Sequence, residues 1–330
     1  MTSDFRGEVN RVKPNLIEIE AAAEVVYQVM APTPQYCWPL MCERLGTDVW
    51  VKHENHTPIG AFKLRGGLVY FHHLAGLSDR PKGVISATRG NHGQSVGFAA
   101  RRHGIPATIV VPLGNSREKN AAMRALGVDL IEHGDDFQAA REHAVALAKE
   151  RDLHTVPPFH PRLVQGVATY ALELLRNVRD VDVAYVPIGL GSGICGMIAA
   201  RDALGLSTRI VGVVSKHAPA YALSFQQRMP VEHAVTTRLA DGVACRTPEP
   251  AALEVIWRGV DRVVTVSDDE VAVAMRALFE DTHNVAEGAG AVSFAAALQE
   301  RERLSGKRVA VVMSGGNVDR QVFAKVLTDE

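Results

Sequence analysis

The chain has 330 residues, of which 47% are hydrophobic and 22% charged, and its net charge is −1. This near-neutral balance gives no support for nucleic acid or an anionic membrane as a partner. The length allows one large domain or two modest ones, and the four cysteines show no metal-finger spacing, which predicts free thiols in a reducing compartment. We therefore expect a cytoplasmic globular protein without a secretory signal or a membrane-spanning segment.

The first informative segment runs from a predicted strand at 48–52 to a predicted helix that begins near Lys63. A short loop that contains Gly60 connects the two, so Lys63 lies at the end of a strand, where α/β proteins bind ligands. Beside Phe62 and nearby glycines, Lys63 is a candidate Schiff-base lysine. A solvated lysine in a first helical turn would fit the same local pattern.

The remaining elements alternate between strand and helix, which predicts right-handed crossovers and parallel sheets. Polar residues 1–15 are predicted to form an N-terminal arm. The other predicted strands are 83–87, 107–111, 128–132, 181–187, 209–214, 261–266 and 308–313. The predicted helices are 16–30, 91–103, 117–126, 135–151, 162–177, 192–204, 268–281, 288–304 and 317–327.

Prolines at positions 157, 158 and 161 interrupt this alternation and mark a crossing between two sheets. We therefore predict an α/β fold with two doubly wound parallel-sheet domains that face a cleft. The large domain would comprise residues 1–81 and 157–330, with a small domain of residues 82–156 inserted in it. These two domains would account for all 330 residues, so we expect no regulatory domain.

A second strand end carries the glycine-dense turn Ile188–Gly196. Backbone N–H groups in such a turn, together with the positive end of the following helix, favour a phosphate. A dinucleotide site would need an acidic residue at the end of the next strand, which instead ends in Ser215 and Lys216. Close packing of the helix on the strand is the alternative explanation for these glycines.

Two further strand ends carry small and polar residues. Ser86–Gln94 forms a tight turn before a helix, where free N–H groups, Asn91 and Gln94 would suit a carboxylate, although plain helix capping needs similar residues. Residues 311–317 end a strand in Ser314, two glycines and an asparagine. One lysine, one phosphate turn, one anion turn and one hydroxyl at strand ends fit a single cofactor, pyridoxal 5′-phosphate.

With these four motifs, the chain from about residue 30 to 318 resembles the fold-type II pyridoxal-phosphate enzymes, in the serine/threonine dehydratase and serine racemase branch. The resemblance implies a tryptophan synthase β-like fold. It also implies that Lys63 forms the Schiff base, Asn91 binds the ring hydroxyl and Ser314 faces the pyridine nitrogen. The implied cofactor-binding residues are Phe62, Lys63, Asn91, Gly189, Leu190, Gly191, Ser192, Gly193, Gly242 and Ser314. The implied substrate-binding residues are Thr88, Arg89, Gly90, Asn91 and His92.

The activity implied by this resemblance is β-elimination from a β-hydroxy amino acid, L-threonine or L-serine first, giving a 2-oxo acid and ammonia. Ser314 supports elimination, because a hydroxyl cannot hold a protonated pyridine as an aspartate would. The alternatives are a dehydratase for 3-hydroxyaspartate, phenylserine or a hydroxyectoine breakdown intermediate, a serine racemase, a β-replacement enzyme, or a non-catalytic ligand-binding relative. The family resemblance further implies a homodimer.

The chain departs from the family pattern at two places. Arg89 stands where racemases carry a serine that exchanges a proton with the substrate, and arginine is a poor proton acceptor. Arg89 would instead recognise a polar or acidic substrate tail or bridge to the large domain. Residues 214–220 lack the carboxylates that a divalent cation needs, so we predict no metal there.

Overall fold

The computed structural model describes residues 11–328, which contain a larger and a smaller sheet. The strands are β1 Gln35–Cys37, β2 Val49–His53, β3 Val84–Ala87, β4 Ala107–Val111, β5 Asp129–Glu132, β6 His154–Thr155, β7 Val183–Pro187, β8 Arg209–Ser215, β9 Arg262–Val266 and β10 Val309–Met313. The larger sheet has the order β1-β2-β10-β7-β8-β9 and the smaller β5-β4-β3-β6. All neighbouring strands are parallel except β1, which pairs antiparallel with β2. The predicted α/β fold with two parallel sheets is confirmed.

Helices connect and cover these strands. They are α1 Leu16–Tyr27, α2 Pro39–Leu45, α3 Lys63–Ala75, α4 Asn91–Arg102, α5 Arg117–Ala125, α6 Phe137–Glu150, α7 Pro161–Asn177, α8 Ser192–Ala203, α9 Ala220–Gln227, α10 Pro250–Gly259, α11 Asp268–Thr282, α12 Gly288–Gln299 and α13 Arg320–Thr328. Within residues 11–328, none of the helices is long and apolar enough to cross a membrane.

Some predicted boundaries were wrong, and some short elements were missed. Helix α1 ends at Tyr27 rather than 30, α12 ends at Gln299 before a 3₁₀ turn, and α13 begins at Arg320 rather than 317. Helices α2, α9 and α10 were not predicted, because each is shorter than the roughly 11-residue window that reveals helical periodicity. Strands β1 and β6 have three and two residues, which is too few to show alternation. The predicted N-terminal arm includes residues 1–10, which lie outside the described part of the chain.

Apolar layers cover both faces of the larger sheet. One layer contains buried residues of α7 and α8, and the opposite layer contains those of α11 and α12. Strands buried on both faces read as continuous apolar runs, as Val309–Met313 does. The cluster beside the smaller sheet includes Leu64 and Phe71 of α3, which precede the predicted boundary at residue 82. The division into 1–81 with 157–330 and 82–156 therefore stays a prediction.

Candidate active site

Lys63 is the first residue of α3 and lies where the ends of two strands of the larger sheet meet. The Phe62 N–H donates to the Ser314 carbonyl at 3.0 Å, which joins the lysine loop to the end of β10. The Lys63 amine lies 3.3 Å from the Ser192 hydroxyl oxygen and 5.0 Å from the centre of the Phe62 ring. Burial lowers the pKa of Lys63 from its ordinary value of 10.5 to about 8. The structure thus brings Lys63, Phe62, Ser192 and Ser314 together.

The segment 189–193, which leads from β7 into α8, is closely packed at two of its three glycines. Gly191 has φ +100°, and a Cβ there would lie 2.5 Å from the Ala252 Cβ. A Cβ on Gly189 would lie 2.6 Å from the Gly242 carbonyl oxygen. Gly193 differs, because its Cβ would make an ordinary contact of 3.6 Å with the Phe62 ring. Close packing therefore explains Gly189 and Gly191, whereas Gly193 borders the space beside Lys63.

Two buried tyrosines hold this turn through hydrogen bonds to its carbonyl groups. The Tyr221 hydroxyl donates to the Leu190 carbonyl at 3.0 Å, and the Tyr170 hydroxyl donates to the Gly193 carbonyl at 2.9 Å. With these carbonyls bound, the turn is held in one conformation as α8 begins. The first N–H groups of a helix have no intrahelical acceptor, so they are free to bind an anion at this end.

We predict that Gly191→Ala lowers affinity for pyridoxal phosphate by about tenfold or more, because the turn must absorb both the clash with Ala252 and strain of about 1–3 kcal/mol. Spectroscopic titration of the apoprotein with the cofactor measures this. Gly205→Ala is the matched control, since Gly205 has φ +64° but no atom within 4 Å of its Cβ position. Equal losses in the two variants would contradict a specific role for the turn at 191.

Asn91 begins α4 and faces the larger sheet from the smaller one. Its amide nitrogen donates to Glu287 Oε1 at 2.6 Å, and its amide oxygen accepts from Asn317 at 2.8 Å. Ser314 is buried, and its hydroxyl donates to the Ala289 carbonyl at 3.2 Å. Asn91 and Ser314, which follow strands β3 and β10, are therefore held by groups at the start of α12 and by Asn317.

Residues 88–92 form a turn with one exposed and several buried members. The Thr88 hydroxyl accepts from the Gly90 N–H at 3.1 Å, which closes the turn. Arg89 is exposed and makes no hydrogen bond or ion pair with the part of the chain that the structure describes. The predicted alternative that Arg89 bridges to the large domain is thus not seen among these residues.

His92 is buried near Lys63. Burial, followed by the charge of Lys63, lowers the pKa of His92 to about 3, so the ring is neutral. Its Nε2 has no hydrogen-bond partner within residues 11–328. Buried polar atoms are normally paired, so an unpaired nitrogen beside Lys63 is consistent with a ligand in this space.

A salt bridge that sequence reasoning missed connects a helix beside the smaller sheet to residues near the larger one. Lys119 of α5 donates to Asp241 at 2.7 Å and lies 3.3 Å from Glu287. Burial opposes the charge of Lys119, but the two carboxylates outweigh it and raise its pKa. Burial also raises the pKa of Glu287, despite Lys119 and Asn91 nearby. Lys119 therefore ties the smaller sheet to the loop containing Gly242.

The back of α3 is anchored by a buried charge network that the sequence also did not reveal. Arg65 donates to both oxygens of Glu54 at 2.7 and 3.0 Å and to both oxygens of Glu173 at 2.6 and 2.9 Å. Lys52 donates to Glu173 at 2.6 Å. Arg65, Glu54 and Lys52 are fully buried, so the start of the helix that carries Lys63 is fixed from the side opposite its amine.

Comparison with known proteins identifies the class of enzyme. The chain belongs to the family of pyridoxal-phosphate dependent enzymes, whose pattern it matches over residues 26–315. The predicted cofactor is thereby confirmed. The individual residue roles implied by the resemblance remain predictions.

Three curated relatives show the range of activities among similar sequences. The L-threonine ammonia-lyase of Thermotoga maritima is 34% identical over 94% of this chain and 78% of its own length. The L-threo-3-hydroxyaspartate ammonia-lyase of Saccharomyces cerevisiae is 31% identical over 96% of this chain and 97% of its own. The biosynthetic L-threonine dehydratase of Haemophilus influenzae is 32% identical, and the match covers 58% of its length.

Solved structures agree with this family and fold. The processed form of threonine deaminase isoform 2 from Solanum lycopersicum superimposes with a TM-score of 0.86 and 28% identity, covering 97% of this chain and 96% of that one. Maize serine racemase superimposes with a TM-score of 0.88 and 27% identity, covering 95% and 96%. The predicted fold-type II resemblance is confirmed.

Proposed function

We propose that this protein catalyses β-elimination from a β-hydroxy amino acid and releases a 2-oxo acid and ammonia. L-threonine and L-serine are the first candidate substrates. The observation that carries the proposal is the desolvated Lys63 amine, 3.3 Å from Ser192 at the start of the helix that follows the glycine turn. Relatives named for threonine support the same substrate class.

The side chains and turns around Lys63 fit pyridoxal phosphate. Lys63 would hold its aldehyde carbon, the turn 189–193 with Gly242 its phosphate, Asn91 its ring hydroxyl and Ser314 its pyridine nitrogen. Phe62 would pack against the ring. When bound, this cofactor withdraws electrons from the substrate Cα and so makes the Cα proton removable.

Lys63 would move the proton in this reaction. With a pKa lowered to about 8, about half of the Lys63 amine is neutral at pH 8, and the neutral amine would accept the Cα proton. The substrate carboxylate would accept hydrogen bonds from the N–H groups of the turn 88–92 at the start of α4. Ser314 leaves the pyridine nitrogen without a countercharge, so negative charge at Cα favours prompt departure of the β-hydroxyl.

The lowered pKa of Lys63 predicts how cofactor capture depends on pH. The attacking amine must be neutral, and its neutral fraction falls about tenfold for each pH unit below a pKa of about 8. The initial rate of covalent pyridoxal phosphate attachment to the apoprotein should rise up to about pH 8 and then level off. Stopped-flow absorbance measures this rate. A rate that continues to rise beyond pH 10 would show an ordinary, solvated lysine.

A second candidate substrate is 3-hydroxyaspartate, favoured by the unpaired Arg89. An exposed guanidinium in the carboxylate-binding turn is suited to a second carboxylate on the substrate. The match to the yeast relative named for that substrate covers nearly the whole length of both proteins. Racemase activity stays disfavoured because arginine is a poor proton acceptor.

The deciding experiment measures kcat/KM for 2-oxo acid release from L-threonine, L-serine, L-threo-3-hydroxyaspartate and phenylserine. If Arg89 binds a side-chain carboxylate, Arg89→Ser should lower kcat/KM for hydroxyaspartate at least about tenfold and leave L-threonine within about twofold. Equal effects on both substrates would assign Arg89 no role in selecting the side chain. Absence of turnover with every substrate by the cofactor-loaded protein would favour a β-replacement enzyme or a non-catalytic binding protein.

The family resemblance also supports a homodimer in the cytoplasm. Light scattering behind size-exclusion chromatography gives the mass in solution, and a mass of one 35.7 kDa chain would contradict the dimer. Fractionation of the source cells tests the location.

A further inference from the structure

Two thiols meet at the edge of the larger sheet, in elements that the sequence did not reveal. Cys37 ends the edge strand β1, and Cys42 lies in the short helix α2 that follows it. Their Sγ atoms are 3.2 Å apart, and both residues are half-buried. They are spaced as C-x4-C, which fits one half of a zinc-finger pattern, but the other two cysteines supply no second pair of that spacing, so it is the fold that shows the two thiols to be neighbours.

Asp48 adds a carboxylate to the two thiols. Its oxygen and both Sγ atoms all lie within 4.8 Å of one another, and within residues 11–328 this is the single group of three such ligands that approach so closely. The Val49 N–H points at Cys42 Sγ from 3.4 Å, a contact that would stabilise a thiolate. Asp48 is 61% exposed, and its Arg308 partner is 3.8 Å away, too far for a strong hydrogen bond.

We propose that Cys37, Cys42 and Asp48 bind a zinc ion, with water as the fourth ligand. Zinc prefers four tetrahedral ligands, thiolates first among them, and also accepts carboxylate oxygen. With zinc–sulfur bonds of about 2.3 Å, two thiolates lie about 3.8 Å apart, so this pair would open by about 0.6 Å. A disulfide would require the pair to close by about 1.1 Å and would make no use of Asp48.

The location of the three ligands predicts a structural role. Cys37 pairs with Trp50 across the antiparallel ladder, so the cluster lies at the beginning of β2. The lysine loop follows the opposite end of β2, after His53. Zinc would therefore crosslink β1, α2 and the start of β2 and would not contact the reacting groups. The free energy of zinc binding would add to the free energy of folding. This proposal does not depend on the proposed catalytic function.

The test uses the full-length, cofactor-loaded protein, reduced and stripped of metal, and titrates Co²⁺ and then Zn²⁺ under anaerobic conditions. We expect one equivalent of Co²⁺ with thiolate charge-transfer absorption that Zn²⁺ abolishes. Cys37→Ser and Cys42→Ser should each remove this absorption, and Asp48→Asn should weaken binding by about tenfold or more. Cys245→Ala, which removes a buried thiol away from the cluster, should bind as the parent does.

A second measurement needs no substitution and so does not depend on the variants folding. Zn²⁺ should slow alkylation of Cys37 and Cys42 by N-ethylmaleimide at least about tenfold, as peptide mass spectrometry of the parent protein would show. Equal metal binding by the parent and a Cys37→Ser, Cys42→Ser double variant would overturn the proposal. The proposal would also be overturned if the reduced protein did not bind Zn²⁺ but lost two hydrogens on mild oxidation. The two thiols would then be a redox pair that forms a disulfide.

Discussion

Replacement of Lys63 by alanine is expected to lower kcat for 2-oxo acid release by about 10³-fold or more, because in the proposed function the same amine would hold the cofactor and remove the Cα proton. The structure gives this residue a desolvated amine 3.3 Å from Ser192, at the end of the glycine turn. The cofactor should still bind non-covalently through the turn and Asn91, but its absorption should be that of the free aldehyde. Steady-state assays and absorption spectra measure the two effects.

The control for this experiment is Lys216→Ala, an exposed lysine at the end of β8 that lies outside the proposed site. It should keep parental activity and spectrum. Circular dichroism should show that both variants are folded. Turnover by Lys63→Ala at the parental rate would remove the catalytic assignment, whatever the spectrum shows.

Sequence analysis predicted those parts of the site that are formed by short segments of neighbouring residues. Lys63, the turn at 189–193 and Ser314 each follow a strand whose apolar run is easily read. Because parallel strands direct their carboxyl ends to one edge of a sheet, these three motifs had to converge once the strands were identified. The Asn91 turn follows β3 of the smaller sheet, and only the approach of the two sheets brings it to Glu287 and Asn317. The resemblance to a known family then supplied the roles that we predict for them.

The parts that were missed depend on contacts between distant segments. Lys119 and Asp241 are 122 residues apart, and Arg65 and Glu173 are 108 apart. Charged residues are seldom fully buried, so composition alone places these side chains at the surface. Lys119 looks like any solvated lysine in an amphipathic helix, and only the approach of the two sheets encloses it. The proximity of Cys37 and Cys42 was not predicted for a related reason, because the short elements that contain them show no periodicity.

The second large effect is expected at Arg65, two residues after Lys63. Lys52, Glu54, Arg65 and Glu173 form a buried set with two positive and two negative charges. Arg65→Met would leave Glu54 without an ion-pair partner within this network and give the set an excess negative charge. Removal of one partner from a buried ion pair costs about 3–5 kcal/mol, so the free energy of unfolding in urea should fall by that amount.

A matched comparison separates the cost of breaking this buried network from the cost of breaking an exposed ion pair. Arg124 and Glu132 pair at 2.8 Å with half or more of the arginine side chain exposed, so Arg124→Met should cost about 1 kcal/mol or less. The double variant Arg65→Met, Glu54→Gln restores neutrality and should recover part of the loss, which a double-mutant cycle would quantify. If Arg65→Met cost no more than Arg124→Met, the network could not be what fixes the start of α3. In that case the position of the Lys63 amine would have to be set by the loop contacts of Phe62 and Ser314 alone.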